Sequence, residues 1–348
     1  MKVLADQYLY KLEEYLPGGV KLHRFNPAEG FPSDAVHYDA LLIRTVTEIN
    51  SKTLSKPGNL KFIGTATAGI DHVDTEWLKE LEVGFGHAAG CNAIAVGEYV
   101  LTGLMKWAMD REIDLRKKSV GVVGCGHTGS EVLKLLKRFD IPHFGYDPPK
   151  EDKEEGFVSV SPDKLLQCDI LTFHVPLTKT GIYPTYRLFN KDWLTHGFDL
   201  VINAARGGVV DEKALLMGLE EGSLGDMILD VWEGEPVFQD DVAEKAFIAT
   251  PHIAGYSKES KERASRMVVE QMAKFLGFES EADHKKMSAD MGTRRANPVR
   301  LNSAELIWEE SNIDHYDREL RKLIGVDDQE KGQLFSKLRS DTELREEW

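Results

Sequence analysis

The chain of 348 residues contains little cysteine, few basic residues for its acidic content, and no long apolar run. Its three cysteines, Cys91, Cys125 and Cys168, have neither disulfide-framework nor metal-ligand spacing, which predicts three small core residues and no metal site. Lysine and arginine number 43 against 58 aspartates and glutamates, so the formal net charge is −15. Nucleic acids and anionic membranes require dense positive charge, and we therefore expect neither as a partner.

The sequence also lacks the patterns that direct a chain to or across a membrane. No apolar run approaches the ~20 residues of a membrane-spanning helix. The first residues, Met-Lys-Val-Leu-Ala-Asp, are typical of a strand rather than of the apolar region of a secretory signal. These observations together predict a cytoplasmic protein.

Short apolar runs alternate with helical patterns along most of the chain, as in βα folds with parallel sheets. The first series of predicted strands is Lys2–Ala5, Val20–Phe25, Ala40–Arg44, Leu60–Ala66 and Val83–Ala88. After a long apolar helix predicted at Ala93–Met109, the second series is Ser119–Val123, His143–Tyr146, Ile170–His174, Leu200–Asn203, Met227–Asp230 and Phe247–Ala249. Six strands with crossover helices predict a doubly wound nucleotide-binding sheet.

The length of the chain predicts two α/β domains and an accessory segment. We expect a helix that ends at Gly277 to return to the first domain, which makes that domain discontinuous, with residues 1–92 and 254–283. The nucleotide-binding domain is then 93–253. Residues 284–348 predict a small helical appendage, in which the apolar clusters Leu306–Trp308 and Leu320–Ile324 would mediate self-association.

Three glycines, Gly124, Gly126 and Gly129, follow an apolar strand and open a helix. In a dinucleotide-binding turn these positions provide the tight turn, close approach to the pyrophosphate and close packing of helix on sheet. Asp147 lies 18 residues after Gly129 at the end of the next strand. A carboxylate there accepts hydrogen bonds from the ribose and repels a 2′-phosphate, which predicts NAD rather than NADP. The alternative is that Asp147 only begins the turn before Pro148.

Arg206, Glu235 and His252 each close a predicted strand beside small residues. Because the carboxyl ends of parallel strands meet at one edge of a sheet, we expect these side chains to lie close together. Arg206 could clamp a carboxylate through two hydrogen bonds, His252 could take a hydroxyl proton, and Glu235 could orient the imidazole. Together they predict NAD-linked oxidation of a small 2-hydroxy acid. Singly, each has another explanation: a surface cation, a turn carboxylate and a residue capped by Pro251.

Two more residues at strand ends face the same predicted edge. We expect His174 to form a wall on the cofactor side. Asp230 is expected to contact the nicotinamide end or to brace the site, and its carboxylate keeps it a weaker candidate for the base.

These motifs resemble those of the NAD-dependent D-2-hydroxyacid dehydrogenases, from Met1 to about Gly277. The resemblance implies a Rossmann-type NAD-binding domain and a flavodoxin-like βα substrate domain. Stretches around Arg44, Gly64, Cys91 and Tyr256 are similar to one branch that oxidises a small phosphorylated hydroxy acid. The family-wide motifs are the glycine turn, Asn203-Ala-Ala-Arg206-Gly, Asp230-Val-Trp-Glu-Gly-Glu235-Pro and Pro251-His252.

The resemblance also implies roles for single residues. Thr45, Thr67 and Tyr256 would contact the substrate. The cofactor side would be lined by Ala204, Ala205, Asp230 and Gly255. A C-terminal dimerisation domain would make the protein a homodimer.

A phosphate on the substrate would need cations, and Arg44 is the first candidate. Lys258, Lys261 and Arg263 follow in one helix. For Lys258 a solvated helix face is the preferred explanation, whereas Lys261 and Arg263 stay open. Other possible functions are a phosphoglycerate or hydroxypyruvate dehydrogenase and, from a different class, a non-catalytic NAD-sensing protein. The intact Arg206, Glu235 and His252 set counts against the last.

Overall fold

The computed structural model describes residues 1–278 and 304–348. They form two compact units: the first contains Met1–Asn92 and the chain from Lys258 to residue 278, and the second contains Ala93–Ser257 and residues 304–348. Each unit has one parallel sheet with helices, which confirms the predicted α/β class. Within the described ranges, no helix has the length and apolar character needed to cross a membrane.

The observed elements agree closely with the predicted ones. The strands are β1 (Lys2–Asp6), β2 (Lys21–Phe25), β3 (Ala40–Ile43), β4 (Phe62–Thr65), β5 (Gly84–His87), β6 (Val120–Val123), β7 (His143–Tyr146), β8 (Ile170–Phe173), β9 (Phe198–Asn203), β10 (Leu224–Leu229) and β11 (Ile248–Ala249). The α-helices are α1 (Thr75–Glu80), α2 (Ala93–Asp110), α3 (His127–Arg138), α4 (Pro148–Glu151), α5 (Pro162–Leu166), α6 (Glu212–Glu221), α7 (Asp240–Lys245), α8 (Lys258–Leu276), α9 (Ala304–Glu310), α10 (Ile313–Arg321) and α11 (Asp328–Ser340). Short 3-10 helices occur at Leu12–Glu14, Pro27–Glu29, Ala35–His37, Leu115–Lys117 and Lys191–Thr195.

The sheet of the first unit has the strand order β2-β1-β3-β4-β5, with all neighbours parallel. Helix α8 packs on it through the buried Val268 and Met272. A Cβ at Gly64 would lie 2.3 Å from Val268 Cγ2, so glycine in β4 permits this close packing. The helix ends as predicted at Gly277, whose φ of 73° suits glycine.

The second unit contains a six-stranded parallel sheet in the order β11-β10-β9-β8-β6-β7. Strands β6 and β8 are buried along their whole length, which explains their continuous apolar sequences. Because β7 and β8 lie on opposite sides of β6, the winding reverses at β6, and ligands of such sheets bind at the carboxyl ends beside this point.

The described C-terminal residues, 304–348, pack on the second unit rather than standing apart. Leu320 and Leu323 are buried in its core, as is Ile307 from the other apolar cluster. The Asp317 carboxylate in α10 also accepts a hydrogen bond from the Ala249 N–H of edge strand β11 at 2.7 Å. Ile307, Leu320 and Leu323 are therefore covered by their own chain and do not offer the exposed surface expected for self-association. Residues 284–303 of the predicted appendage lie outside the described ranges.

Candidate active site

Arg206 lies in a tight turn that directly follows β9. The buried Asn203 side chain accepts a hydrogen bond from the Ala205 N–H and donates one to the Arg206 carbonyl, both at 3.1 Å. Arg206 Nη1 in turn donates to the Ala205 carbonyl at 2.7 Å. The backbone around Arg206 is therefore fixed by the strand-end asparagine.

The turn after β9 meets the turn after β10 at Gly207. A Cβ on Gly207 would lie 1.8 Å from the Trp232 carbonyl oxygen, so a larger residue cannot occupy this position without moving backbone. The buried Trp232 side chain donates from Nε1 to the Thr250 carbonyl at 3.0 Å, which reaches the turn after β11. Direct contacts therefore join the three strand-end turns.

Glu235 and His252 are brought together, as the sequence predicted. Glu235 Oε2 lies 2.8 Å from His252 Nδ1, and Glu235 Oε1 accepts the Trp232 N–H at 2.9 Å. Burial opposes ionisation of Glu235, but His252, the charge of Arg339 and the Trp232 N–H together hold the pKa of this carboxyl below its usual range. His252 adopts a positive φ of 57°, and Nε2 is the ring nitrogen that Glu235 does not engage.

Asp230 organises the segment that carries His252. Its Oδ1 accepts from Thr250 Oγ1 at 2.7 Å and from the Ile253 N–H at 2.8 Å, while Oδ2 accepts from the Ala254 N–H at 2.9 Å. Burial raises the pKa of Asp230 to about 6, although His252 and these donors favour the ionised form. The carboxylate thus holds the backbone on both sides of His252.

The glycine turn has the geometry that a dinucleotide requires. A Cβ on Gly129 would lie 1.8 Å from the Gly124 carbonyl oxygen, and Gly124 has a φ of 87°. Helix α3 begins immediately after Gly126, and no side chain at this N-cap position accepts a hydrogen bond from the first N–H groups of the helix. A Cβ on Gly126 would meet no atom of the described chain within 4 Å. The space beside Gly126, at the N-terminus of α3, is therefore open to an anion.

Asp147 directly follows β7, and its carboxylate has structural partners. Oδ2 accepts the Cys125 N–H at 2.7 Å, and Oδ1 accepts the Lys150 N–H at 3.0 Å. Asp147 therefore caps α4, as the turn interpretation predicted, and it also fastens this helix to the glycine turn. Each carboxylate oxygen can accept a further hydrogen bond, so the two interpretations are compatible.

His174 follows β8 beside the glycine turn. Its Nε2 lies 2.9 Å from Thr172 Oγ1, and its Nδ1 is buried without a hydrogen-bond partner in the described part of the chain. Burial lowers the pKa of His174 to about 3, so the ring is neutral near physiological pH. A neutral imidazole can line a cofactor site without placing a charge there.

The remaining predicted cofactor residues lie at the same strand ends. Ala204 and Ala205 precede Arg206, with Ala205 buried and Ala204 half-buried. Gly255 and Tyr256 are half-buried in the segment between β11 and α8. The Tyr256 N–H donates to the Ile253 carbonyl at 2.8 Å.

The predicted substrate residues of the first unit cluster at the carboxyl ends of its strands. Arg44 follows β3 and donates from Nε to Asp6 Oδ2 at 2.9 Å. Thr45 is exposed next to it. Thr67 follows β4, and its hydroxyl donates to the Gly69 carbonyl at 2.7 Å. These residues therefore share one edge of the sheet.

The other candidate cations begin α8. Arg263 donates from Nε to the Cys91 carbonyl at 2.9 Å, which gives it a structural partner in the same unit. Lys258 is exposed, whereas Lys261 is half-buried. All three cysteines are buried, as predicted.

Several residues that build the site were not singled out from the sequence. Asn203, Gly207 and Trp232 lie inside the strand-end motifs, so their positions were a usable signal. The position of Glu212 gave no such signal. This residue begins α6 and is buried, and its Oε1 accepts a hydrogen bond from the Glu233 N–H at 2.6 Å. Its other oxygen, Oε2, is buried without a partner among residues 1–278 and 304–348.

Glu212→Gln should stabilise the protein by about 1–3 kcal/mol above pH 7 and leave stability unchanged near pH 4. Burial raises the pKa of Glu212 to about 7. The folded chain therefore keeps a proton that the unfolded chain loses from about pH 4.3 upward, so wild-type stability falls between these values. Glutamine keeps the acceptor oxygen and does not titrate. Urea unfolding at pH 4, 6 and 8 measures the difference. Glu221→Gln, an exposed change in the same helix, is the control; a difference for Glu212→Gln that does not vary with pH contradicts the argument.

The second unit defines the class of protein. Residues 95–254 match the family model of the D-isomer specific 2-hydroxyacid dehydrogenase, NAD binding domain. The structure also resembles that of NAD-dependent formate dehydrogenase from Staphylococcus aureus in complex with NAD, with a TM-score of 0.62 and 24% identity over 80% of this chain and 97% of that one. The latter likeness shows a shared fold.

Two relatives define the branch. The chain is 40% identical over 323 residues to erythronate-4-phosphate dehydrogenase of Proteus mirabilis, covering 89% of this chain and 83% of the relative. It is 37% identical over 362 residues to erythronate-4-phosphate dehydrogenase of Escherichia coli, covering 100% and 92%. The chain belongs to the D-isomer specific 2-hydroxyacid dehydrogenases, in the branch of the erythronate-4-phosphate dehydrogenases. It is an oxidoreductase that acts on a hydroxy acid, and its cofactor is NAD.

Proposed function

We propose that the chain is a cytoplasmic enzyme of pyridoxal 5′-phosphate biosynthesis. Its reaction oxidises 4-phospho-D-erythronate at the 2-hydroxyl to 2-oxo-3-hydroxy-4-phosphobutanoate. The observation that carries the chemistry is the 2.8 Å contact between Glu235 and His252 at the ends of neighbouring strands. The named activity of relatives that align with the whole chain supports the choice of substrate.

Three side chains of the second unit would carry out the reaction. Arg206 would hold the substrate carboxylate through paired hydrogen bonds, which a lysine ammonium cannot reproduce. With Nδ1–H donated to Glu235, His252 would take the 2-hydroxyl proton at Nε2. Bound NAD supplies the acceptor for the hydride from C2. Glu235 would stabilise the imidazolium that results and fix the direction of the ring.

The cofactor would be held along the carboxyl edge of the second sheet. Gly124, Gly126 and Gly129 would form the pyrophosphate turn, and Asp147 would accept from the ribose and disfavour NADP. The nicotinamide side would be bounded by His174, Ala204, Ala205, Asp230 and Gly255. Support comes from the open space before Gly126 and from the neutral His174 ring.

The first unit would serve as the substrate-binding domain. Thr45, Thr67 and Tyr256 would contact the hydroxy acid. Arg44 would receive the phosphate, since Nε is donated to Asp6 and a guanidinium carries further donors. Lys261 and Arg263 would assist it if the substrate reaches the start of α8.

Removal of the substrate phosphate should lower kcat/KM by about ten- to a hundredfold. A charge-assisted hydrogen bond contributes roughly 1.5–3 kcal/mol, and dephosphorylated erythronate cannot form it. Steady-state NADH formation with 4-phosphoerythronate, erythronate and 3-phosphoglycerate measures the effect. Arg44→Met should reduce the difference in kcat/KM between 4-phosphoerythronate and erythronate.

The same assay separates the competing functions. If 3-phosphoglycerate is the best of the three, the protein is a hydroxyacid dehydrogenase with a different substrate. Binding of NAD with no turnover of any hydroxy acid or oxo acid favours a sensing protein instead.

We also propose that the protein is a homodimer, as the resemblance to the dehydrogenase branch implies. The contact surface would exclude Ile307, Leu320 and Leu323, because all three are covered within the subunit. Light scattering should give about twice the chain mass of 39.1 kDa. A mass of one chain at micromolar concentration contradicts the proposal.

A further inference from the structure

The last residues of the chain hold the beginning of α2. Arg345 donates from Nη1 to Glu98 Oε2 at 2.5 Å and from Nη2 to the Ala95 carbonyl at 2.8 Å. The Trp348 N–H donates to Glu98 Oε1 at 2.8 Å. The Glu98 side chain is 2% exposed and that of Arg345 12%, so this ion pair is shielded from water and salt.

The same residues hold the end of the segment that follows His252. Ser257 forms a parallel β-bridge with Arg345, and Ser257 Oγ donates to Glu347 Oε1 at 2.8 Å. Ser257 is fully buried. It ends the short segment that begins at His252 and includes Tyr256, so the C-terminal residues fix where this segment stops.

A second connection runs from α2 to the other side of His252. Tyr99, next to Glu98, is hydrogen-bonded to Thr250 Oγ1 at 2.7 Å, and Thr250 donates to Asp230. Asp230 accepts the N–H groups of the two residues that follow His252. Helix α2, which Arg345 holds through Glu98, therefore also supports the residues around His252 through Tyr99, Thr250 and Asp230.

We propose that Arg345 is a positioning residue for His252. It acts on α2 through Glu98, and on the end of the segment 252–257 through its bridge to Ser257. This inference rests on the proposed function, in which His252 is the base. A displacement of about 1 Å in a reacting group can reduce turnover by as much as about 10²-fold, so loss of these contacts should slow the proton transfer.

Because Glu98 is buried, its negative charge should lower the stability of the fold when Arg345 is absent. Burial raises the pKa of Glu98 to about 7, despite the attraction of Arg345. A single Arg345→Met change leaves this carboxyl group without its cationic partner and should reduce stability. The double variant Arg345→Met with Glu98→Gln removes the charge as well, so it should recover the unfolding temperature without restoring the ion pair.

The experiment compares the full-length wild type with Arg345→Met, Ser257→Ala and the double variant. The control is Arg318→Met, which removes an exposed ion pair with Asp314 on α10. We expect kcat to fall roughly 10- to 100-fold in the three test variants while NAD affinity stays within twofold. The control should match the wild type. All assays are made well below each unfolding temperature.

Recovery of stability and of kcat together in the double variant overturns the proposal, because the contacts are then only structural. A second readout does not depend on turnover: in ¹⁵N-histidine-labelled protein, the low-field Nδ1 proton assigned through His252→Ala should shift or broaden in the test variants. An unchanged signal also overturns it. The proposed function is tested separately, since the wild type alone shows whether 4-phosphoerythronate is oxidised, and the variants are compared on whichever hydroxy acid it uses.

Discussion

His252→Ala should lower turnover by roughly 10²–10⁴-fold, the contribution typical of a positioned general base. The physical reason is that, in the proposed function, His252 takes the hydroxyl proton at Nε2, and the Glu235 contact at Nδ1 orients the ring for this step. NADH formation from the best hydroxy acid measures the loss. NAD affinity, followed by fluorescence, should change little because the pyrophosphate turn lies on a different strand.

His196→Ala provides the matched control, since His196 is exposed on the same unit away from the strand-end turns. Arg206→Lys should mainly raise KM for the hydroxy acid, because an ammonium cannot clamp both carboxylate oxygens. Near-normal turnover in His252→Ala would sink the assignment of the base. A normal KM in Arg206→Lys would remove the clamp from Arg206 without affecting that conclusion.

Gly126→Ala should weaken NAD binding by at least about tenfold, near 1.4 kcal/mol, without lowering stability. A Cβ at Gly126 meets no atom of the described chain within 4 Å, so the added methyl occupies only the space proposed for the pyrophosphate. Gly129→Ala should differ, because its Cβ would lie 1.8 Å from the Gly124 carbonyl oxygen. Overpacking of this kind costs about 1–3 kcal/mol of stability, with loss of NAD binding as well.

Calorimetric titration with NAD and thermal unfolding distinguish the two glycine variants. Gly18→Ala is the control, since Gly18 lies in open space in the first unit and should change neither quantity. Wild-type NAD affinity in Gly126→Ala would mean that the pyrophosphate lies elsewhere.

The strands were predictable because most of them are buried on both faces and form continuous apolar runs. β10 shows where this signal weakens: it was predicted from Met227 but begins at Leu224. Asp226 interrupts the apolar run, and its carboxylate accepts hydrogen bonds from Trp107 Nε1 at 2.9 Å and from Arg111. Those partners lie more than a hundred residues away in sequence, so no local pattern could identify them.

The candidate site was predictable to the extent that strand ends determine position. Arg206, Glu235 and His252 follow neighbouring strands, so the topology alone places their turns at one edge of the sheet. The partners of Asp147 depend on how the α4 turn packs on the glycine turn, which the sequence does not encode locally. The C-terminal clusters show the same limit of local sequence patterns. The pattern predicts that Leu320 is buried, but it does not show that the same subunit buries it.

Gly207 makes the turn that carries Arg206 and the turn that carries Glu235 mechanically inseparable. Its missing side chain lets the backbone of one turn rest on the Trp232 carbonyl of the next. Any sequence change that lengthens or shifts one of these turns must be matched by a change in the other. Under the proposed function, efforts to alter substrate preference should vary the first unit around Thr45 and Thr67, and should transplant the two strand-end turns of the second unit only together.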